Sequence, residues 1–434
     1  METYRPYREM WEWSRKWEYK LCDEFGFKPV ATAMVDSVQY PTISSAVNKI
    51  HHQFVKGTYL DSPVVKFYNH KLPESHFPQN EISGQAFEND MSRFDSVSKK
   101  VEVIRQEWHK TKKEGLYVYN PVSKSSHEEN EQVEPDASYN LFPPIPASFD
   151  DFDIVKSHRE YWSHIAGGKN TYYAADLSWS DVFQNEKKEG FSCVARQSTP
   201  RRWHFNSKVQ NVFMAHQPAK DHSGWDFSNV YLGSKFSTFS WHIEPVDVPS
   251  VSVLHAGMPR IWYVVHSEYT ADVQKYVWEN ISTYSLKPGP FHECIPFFEH
   301  RWTHQEPVAL MREMQRRLSN RFKVFVAVQT PGVSLFIPKQ TLHSGFSTGS
   351  NIAEALGVCT EFTAEHLRHS EPPGCPFEET DDTSPSLECS SVFRVASILK
   401  QPARHIERNV PKTMAQIASK PKVKRFSHIK GLGK

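Results

Sequence analysis

A histidine and a carboxylate two residues apart on a strand show their side chains to the same face, because the side-chain period of a strand is two. A second histidine from a distant part of the chain completes a set of two imidazoles and one carboxylate. That set holds a metal such as iron on one side and leaves the other positions open to reactants. The chain has 22 histidines, and His-x-Glu occurs at His127, His158, His242, His266, His304, His369 and His405. Spacing alone therefore selects nothing, and the default for each is a surface histidine near a surface glutamate. His242 and Glu244 stand apart by context. They end an aromatic-rich, strand-like run, Ser237-Thr-Phe-Ser-Trp-His-Ile-Glu244, which a second run, a Gly-x-Pro turn and a third run follow.

The positioning elements read as short strands and turns from about His158 onward. Ser250 to Leu254 and Arg260 to Val265 are strand-like, with the turn Gly257-Met-Pro259 between them. One helix interrupts, with Pro307 at a first helical position and Val308, Met311, Met314 and Leu318 as its apolar stripe. Strands resume over Phe322 to Gln329, turn at Pro331-Gly332 and return through Val333 to Ile337. Residues 1–120 read as a helical region of unassigned role. Tyr7, Met10, Trp11, Trp17 and Leu21 recur near helical spacing there, and a second, charged helix is expected over Asp95 to Lys113. Residues 121–157 read as a linker, its stretch Pro121 to Pro146 rich in Ser, Glu, Asn and Pro. The main domain is expected over 158–370, and a polar, then basic tail over 371–434.

Composition bounds the answer. The 434 residues are 38% hydrophobic and 13% aromatic, which is a globular rather than a disordered balance. A net charge of +1 leaves attraction to acidic partners to local patches. The tail is such a patch: Lys400 to Lys434 holds ten Lys or Arg against the single acid Glu407. Its Lys420-Pro-Lys-Val-Lys-Arg425 run points to nuclear localisation and non-specific attraction to DNA. The first twenty residues are full of charge and lack a signal-peptide core, and no apolar run is long enough to span a membrane. The expectation is a soluble, intracellular protein. Six scattered cysteines suit reduced thiols or metal ligands better than a disulfide framework.

Three ordered blocks resemble the JmjC histone lysine demethylases, which are Fe(II)/2-oxoglutarate oxygenases. Tyr231-Leu-Gly-Ser-Lys-Phe-Ser-Thr-Phe-Ser-Trp-His-Ile-Glu244 is similar to their strand with the first two ligands. Leu254-His-Ala-Gly-Met-Pro-Arg-Ile-Trp-Tyr263 is similar to the cofactor strand that follows. Leu342-His-Ser-Gly-Phe-Ser-Thr-Gly-Ser-Asn-Ile-Ala-Glu-Ala355 is similar to the block with the distal ligand. Glu160-Tyr-Trp and Tyr173-Ala-Ala-Asp176 resemble the start of the same domain. The resemblance spans about His158 to Leu367 and includes no JmjN segment.

The resemblance implies a mainly β fold, a double-stranded β-helix (jelly-roll, cupin-like) with flanking α-helices. It implies His242, Glu244 and His343 as iron ligands and 2-oxoglutarate as co-substrate. The implied reaction hydroxylates an N-methyl group on a histone tail or another protein tail and releases formaldehyde. Phe239 matches the aromatic that lies against the cofactor. The family's Asn and Lys on the next strand fall on Ser252 and Arg260 here, and its clamp tyrosine has no match between Phe183 and Trp203. Gly224, Tyr231 and Ala355 match the methylammonium pocket. Cys294 and His300, with Cys375 further on, resemble a structural zinc site of one branch, with His366 or His369 available as a further ligand. Two readings stand at this stage. One is an active demethylase or protein hydroxylase. The other is a catalytically silent chromatin-binding module, which the altered Ser252 and Arg260 favour.

Overall fold

Two segments are apolar at almost every position, Arg-Ile-Trp-Tyr-Val-Val and Val-Phe-Val-Ala-Val-Gln, and both are buried from end to end. A strand reads this way when both of its faces are covered. A computed structural model describes residues 7–35, 39, 43–69, 104–123, 152–177, 229–244, 249–281 and 303–358, all within the unit Met1–Gln401.

Five helices are described: α1 (Tyr7–Phe25), α2 (Ile43–Val55), α3 (Ile154–Ala166), α4 (Thr270–Ile281) and α5 (Pro307–Arg317). The strands before α3 are β1 (Lys28–Pro29), β2 (Ala31–Val35), β3 (Val65–Asn69), β4 (Ile104–Lys110) and β5 (Leu116–Ser123). After it come β6 (Thr171–Leu177), β7 (Asn229–Gly233), β8 (Thr238–His242), β9 (Ser250–Gly257) and β10 (Arg260–Val265). The last are β11 (Thr303–Gln305), β12 (Val324–Gln329), β13 (Ser334–Ile337), β14 (His343–Ser347) and β15 (Asn351–Gly357). They form a five-stranded sheet in the order β1-β12-β10-β14-β8 and a ten-stranded sheet in the order β11-β5-β4-β6-β7-β15-β9-β13-β3-β2.

Alternation along β10 sorts its residues between two cores. Ile261, Tyr263 and Val265 join a cluster with Trp17 and Leu21 of α1, Tyr161 and Ile165 of α3, and Leu310 and Met314 of α5. Trp262 and Val264 point the other way, to a cluster with Leu335 and Ile337 of β13. The helices thus cover the outer face of the small sheet, and the second cluster fills the space between the sheets. On the far face of the large sheet, Val47 and Ile50 of α2 pack on Val65, Phe67, Val251 and Phe336. The β9–β10 turn needs its glycine: Gly257 has φ +95°, and a Cβ there would lie 2.3 Å from Ser350 O.

The N-terminal region is not only helical. Residues 104–110, expected as part of a charged helix, are strand β4, paired antiparallel with β5 and β6. Gln106 and Trp108 alternate inward there while Arg105 and Glu107 pair with each other, so the period of two outweighs the charge density. Residues 95–103 lie outside the described residues. The expected linker begins too early, since Pro121 is part of β5 and opposite Gln106 in the ladder. At the other end, Ile154 opens α3 with Asp153 as its N-cap, Oδ1 accepting from Lys156 N at 3.0 Å. In α5, Pro307 is the first residue as expected, but Leu310, Met311 and Met314 are the buried stripe and Leu318 is exposed.

A buried ion pair ties α1 to both sheets. Lys66 of β3 and Glu18 of α1 are each fully buried and bonded to one another. Lys66 also donates to Ser14 Oγ at 3.0 Å and sits over the Trp11 ring. Between them they cap β12 at Val328, where Glu18 Oε1 accepts the backbone N–H at 2.8 Å and Lys66 Nζ lies 3.5 Å from the carbonyl.

Candidate metal centre

β8 and β14 run antiparallel with His242 opposite His343, their ring centroids 4.2 Å apart. Glu244 lies two residues beyond His242, and its Oε1 is 3.6 Å from His343 Nε2. One ligand atom from each of the three falls within 4.8 Å of the others, and they are the one such group among the described residues. His343 is buried while His242 and Glu244 are half-buried, so the group opens to one side.

Each imidazole is oriented by the backbone two residues before it. His242 Nδ1 lies 2.6 Å from Ser240 O, and His343 Nδ1 lies 2.8 Å from Thr341 O. A carbonyl only accepts, so each Nδ1 is the donor in its contact, which leaves Nε2 as the atom available to a metal. Ser250 Oγ of β9 donates to Glu244 Oε1 at 3.2 Å, which holds the carboxylate from the opposite sheet. The donor set fits a divalent metal of the iron type, with positions left for further ligands.

Aromatic and polar side chains continue inward between the sheets from the metal-type ligands. Phe239 packs on Trp262, ring centroids 4.4 Å apart, and meets His242 edge-on at 6.5 Å. Gly345 makes room for it, since a Cβ there would lie 2.4 Å from Phe239 Cζ. Trp262 Nε1 donates to Gln329 Oε1 at 2.9 Å, and Gln329 Nε2 donates to Ser252 O and Val333 O, each at 3.1 Å. Gln329 thereby joins the two sheets. Ser252 lies two residues beyond Ser250 and shares its face, opposite Ala355 of β15. Tyr231 of β7 stands opposite Ala353, two residues before Ala355, and so on the same face.

Arg260 enters this space from the small sheet, on the face it shares with Trp262. It is 7% exposed, and its Nε donates to Asn351 Oδ1 at 2.9 Å. Burial lowers its guanidinium to about 10, against the pull of the Tyr231 oxygen, so it stays charged at neutral pH. No carboxylate among the described residues pairs with it. A buried cation without a counter-ion is costly, and its forked donor suits a ligand carboxylate.

His242, Glu244, Phe239, Ser252, Arg260, Tyr231, Ala355 and His343 are thus brought to facing surfaces of the two sheets. Gly224, Cys294, His300 and Cys375 lie outside the described residues, as do His366 and His369. Reasoning on the sequence missed Gln329, Asn351 and Trp262 as residues that bond or pack beside this site. Gln329 carries a legible signal, a polar residue ending an otherwise apolar run.

The fold and its convergent groups define a cupin-like double-stranded β-helix. Residues 229–358 match the family model of the JmjC domain, described as a hydroxylase. The chain is similar to lysine-specific demethylase 5D of Pan troglodytes, 28% identical over 215 residues, which are 46% of this chain and 13% of that protein. The Homo sapiens protein of the same name is 27% identical over 214 residues, with the same shares. The chain thus spans a small part of the length of these relatives.

Proposed function

We propose that this protein is an Fe(II)- and 2-oxoglutarate-dependent oxygenase that removes methyl groups from lysine in a histone tail or another protein tail. The observation that carries the reading is the pairing of two features. Three metal-type ligands converge between the same two sheets that bury Arg260, which has no carboxylate partner among the described residues. A small dianion that chelates the metal at one end and meets Arg260 at the other satisfies both.

In this reading His242, Glu244 and His343 hold the iron, with Ser240 O, Thr341 O and Ser250 Oγ fixing their orientation. When bound, iron and 2-oxoglutarate supply the oxidising chemistry that hydroxylates an N-methyl carbon. Arg260 grips the far carboxylate, and Phe239 and Trp262 wall the site against water. Tyr231 and Ala355, with Gly224, form the methylammonium pocket, an aromatic and oxygen-lined surface that suits a cation. The names of the demethylase relatives support the substrate class. The basic tail supports a nuclear address and salt-sensitive attraction to DNA, which a truncation before Gln401 would remove.

The test is succinate and formaldehyde release from a panel of methylated peptides supplied with Fe(II) and 2-oxoglutarate. Both products are expected, and both are lost in His242→Ala. Metal binding without either product would point instead to a silent chromatin-binding module, the reading that Ser252 and Arg260 favour in place of the family's Asn and Lys.

A further inference from the structure

β8 carries His242, leads directly to Glu244, and among the described residues is the edge of its sheet, paired with β14 alone. An edge strand leaves a row of backbone groups without a strand partner. A bulge weakens the one ladder it has. His242 faces His343 and Phe239 faces Gly345, so three steps along β8 answer two along β14. Such a slip disrupts the ladder locally and re-aims side chains. The ladder alone is a poor guarantee of where His242 points.

On the N-terminal side of the bulge, one side chain stands in for the missing strand. Gln106 of β4 is fully buried. Its Nε2 donates to Thr238 O at 2.8 Å, and its Oε1 accepts the Thr238 N–H at 3.1 Å. A single amide thus makes the two bonds by which one residue of an antiparallel pair grips the other. Neighbouring groups fix its orientation. An indole N–H can only donate, so Trp108 donates to Thr171 Oγ1 at 3.1 Å, and Thr171 in turn donates to Gln106 Oε1 at 2.7 Å. The Thr238 hydroxyl donates to Phe236 O at 2.9 Å and accepts from Tyr161 Oη at 2.9 Å. The Tyr161 ring lies flat on Phe346, centroids 3.8 Å apart, and Phe346 is the residue opposite Thr238 on β14.

Resting on the reading of His242, Glu244 and His343 as metal ligands, we infer that Gln106 is a positioning residue for the metal centre. It clamps Thr238 and so sets the register of the strand that carries His242 and leads to Glu244. Gln106 lies outside the 229–358 family match. The site is therefore incomplete without chain that precedes the matched domain.

The experiment compares the full chain as wild type, Gln106→Leu, Gln106→Glu and Ile50→Ala. Ile50 is fully buried in the separate core under α2 and controls for lost stability. The readout is Mn(II) affinity by calorimetry, well below each melting temperature. Gln106→Leu is expected to weaken Mn(II) binding about tenfold or more, the scale on which loss of an outer-shell partner acts. Gln106→Glu keeps the acceptor for Thr238 N–H and Thr171, and recovers part of the loss. Ile50→Ala lowers the melting temperature with unchanged affinity. Wild-type affinity in Gln106→Leu, or a loss that Ile50→Ala shares, overturns the inference. A wild type that binds no Mn(II) fails the metal reading itself. Amide exchange over residues 238–242 then decides the clamp: faster exchange in Gln106→Leu supports it, and unchanged exchange overturns it.

Discussion

His343 stands directly opposite His242 across the β8–β14 ladder, and each ring donates a hydrogen bond from Nδ1 to the carbonyl two residues earlier in the chain. The two Nε2 lone pairs are thereby directed by backbone geometry before any metal arrives. Replacing His242 or His343 by Ala should abolish stoichiometric Fe(II) binding and leave the far-ultraviolet circular dichroism unchanged. The His242 ring is half-buried at the open side of the site and contributes little to the core. Iron retained by His242→Ala would show that the metal sits elsewhere.

The legible part of this site was the part carried by local pattern. Spacing put His242 and Glu244 on one face, and the same bounds for β10 follow from its continuous apolar run. Gly257 and Pro307 marked their turn and helix start because each obeys a backbone rule that holds within a few residues. What could not be read is what depends on partners far along the chain. Gln106 looks like part of a charged helix until Thr238, 132 residues away, shows what it is for. Lys66 and Glu18 look like solvated charges, yet both are fully buried because each has the other. Burial of such residues is decided by tertiary pairing, which periodicity does not record.

Arg260 should govern cofactor affinity. A charge-assisted bond from its fork to a carboxylate contributes about 1.5–3 kcal/mol. Arg260→Ala is therefore expected to weaken 2-oxoglutarate binding roughly tenfold to a hundredfold, at about 1.4 kcal/mol per factor of ten. The paired change Ser252→Asn with Arg260→Lys is expected to improve affinity, by restoring the residues that the family carries. Succinate formation against 2-oxoglutarate concentration measures both. Turnover that Arg260→Ala leaves untouched removes this residue from the site.

Gly345 should tolerate no side chain. A Cβ there would lie 2.2 Å from Ile261 O and 2.4 Å from Phe239 Cζ, and the first of these is backbone. Gly345→Ala is expected to push Phe239 off Trp262 and cost about 1–3 kcal/mol, the usual range for overpacking. The check is the urea midpoint together with Trp fluorescence. An unchanged midpoint would mean that β14 shifts freely at its bulge.

Acid should destabilise the fold through two buried histidines that are not among the metal ligands. Burial lowers both His158 and His304 from 6.5 to about 3. Between those values the unfolded chain binds protons that the folded chain refuses, so stability is whole above about 6.5 and falls as pH drops toward 3. Each contributes a slope of roughly 1.4 kcal/mol per pH unit in that window. Neither ring nitrogen of His158 has a hydrogen-bond partner among the described residues, and its ring packs on Phe25. His158→Leu is therefore expected to be neutral or stabilising at pH 7, with a flatter acid limb in urea melts at pH 4–7. A parallel limb in the variant would show that His158 is not the group that titrates.

The Glu18–Lys66 pair makes the sharpest energetic prediction. Both groups are fully buried, and burial alone would drive Lys66 toward its neutral form; Glu18 opposes that shift by charge and hydrogen bond. Removing one partner leaves the other as an uncompensated buried charge, at about 3–5 kcal/mol. Lys66→Met should therefore destabilise strongly, because Glu18 keeps its bond to Val328 N but loses its buried counter-ion and retains only the half-buried Arg15, 4.0 Å away. Replacing both, as Glu18→Gln with Lys66→Met, removes the charges together. It should cost less than the sum of the two single changes, since an apolar or neutral replacement of a whole buried pair is often tolerated. The same double change tests reach toward the metal-type ligands. Val328 precedes Gln329, which bonds Trp262 and Ser252, so a loosened β12 should raise the 2-oxoglutarate concentration needed for half-maximal turnover before it lowers the maximal rate. Urea melts of the four proteins give the coupling energy, and steady-state kinetics of the double variant give the second effect. Additive melts would reduce the pair to two independent buried groups, and kinetics unchanged from wild type would confine it to holding α1 in place.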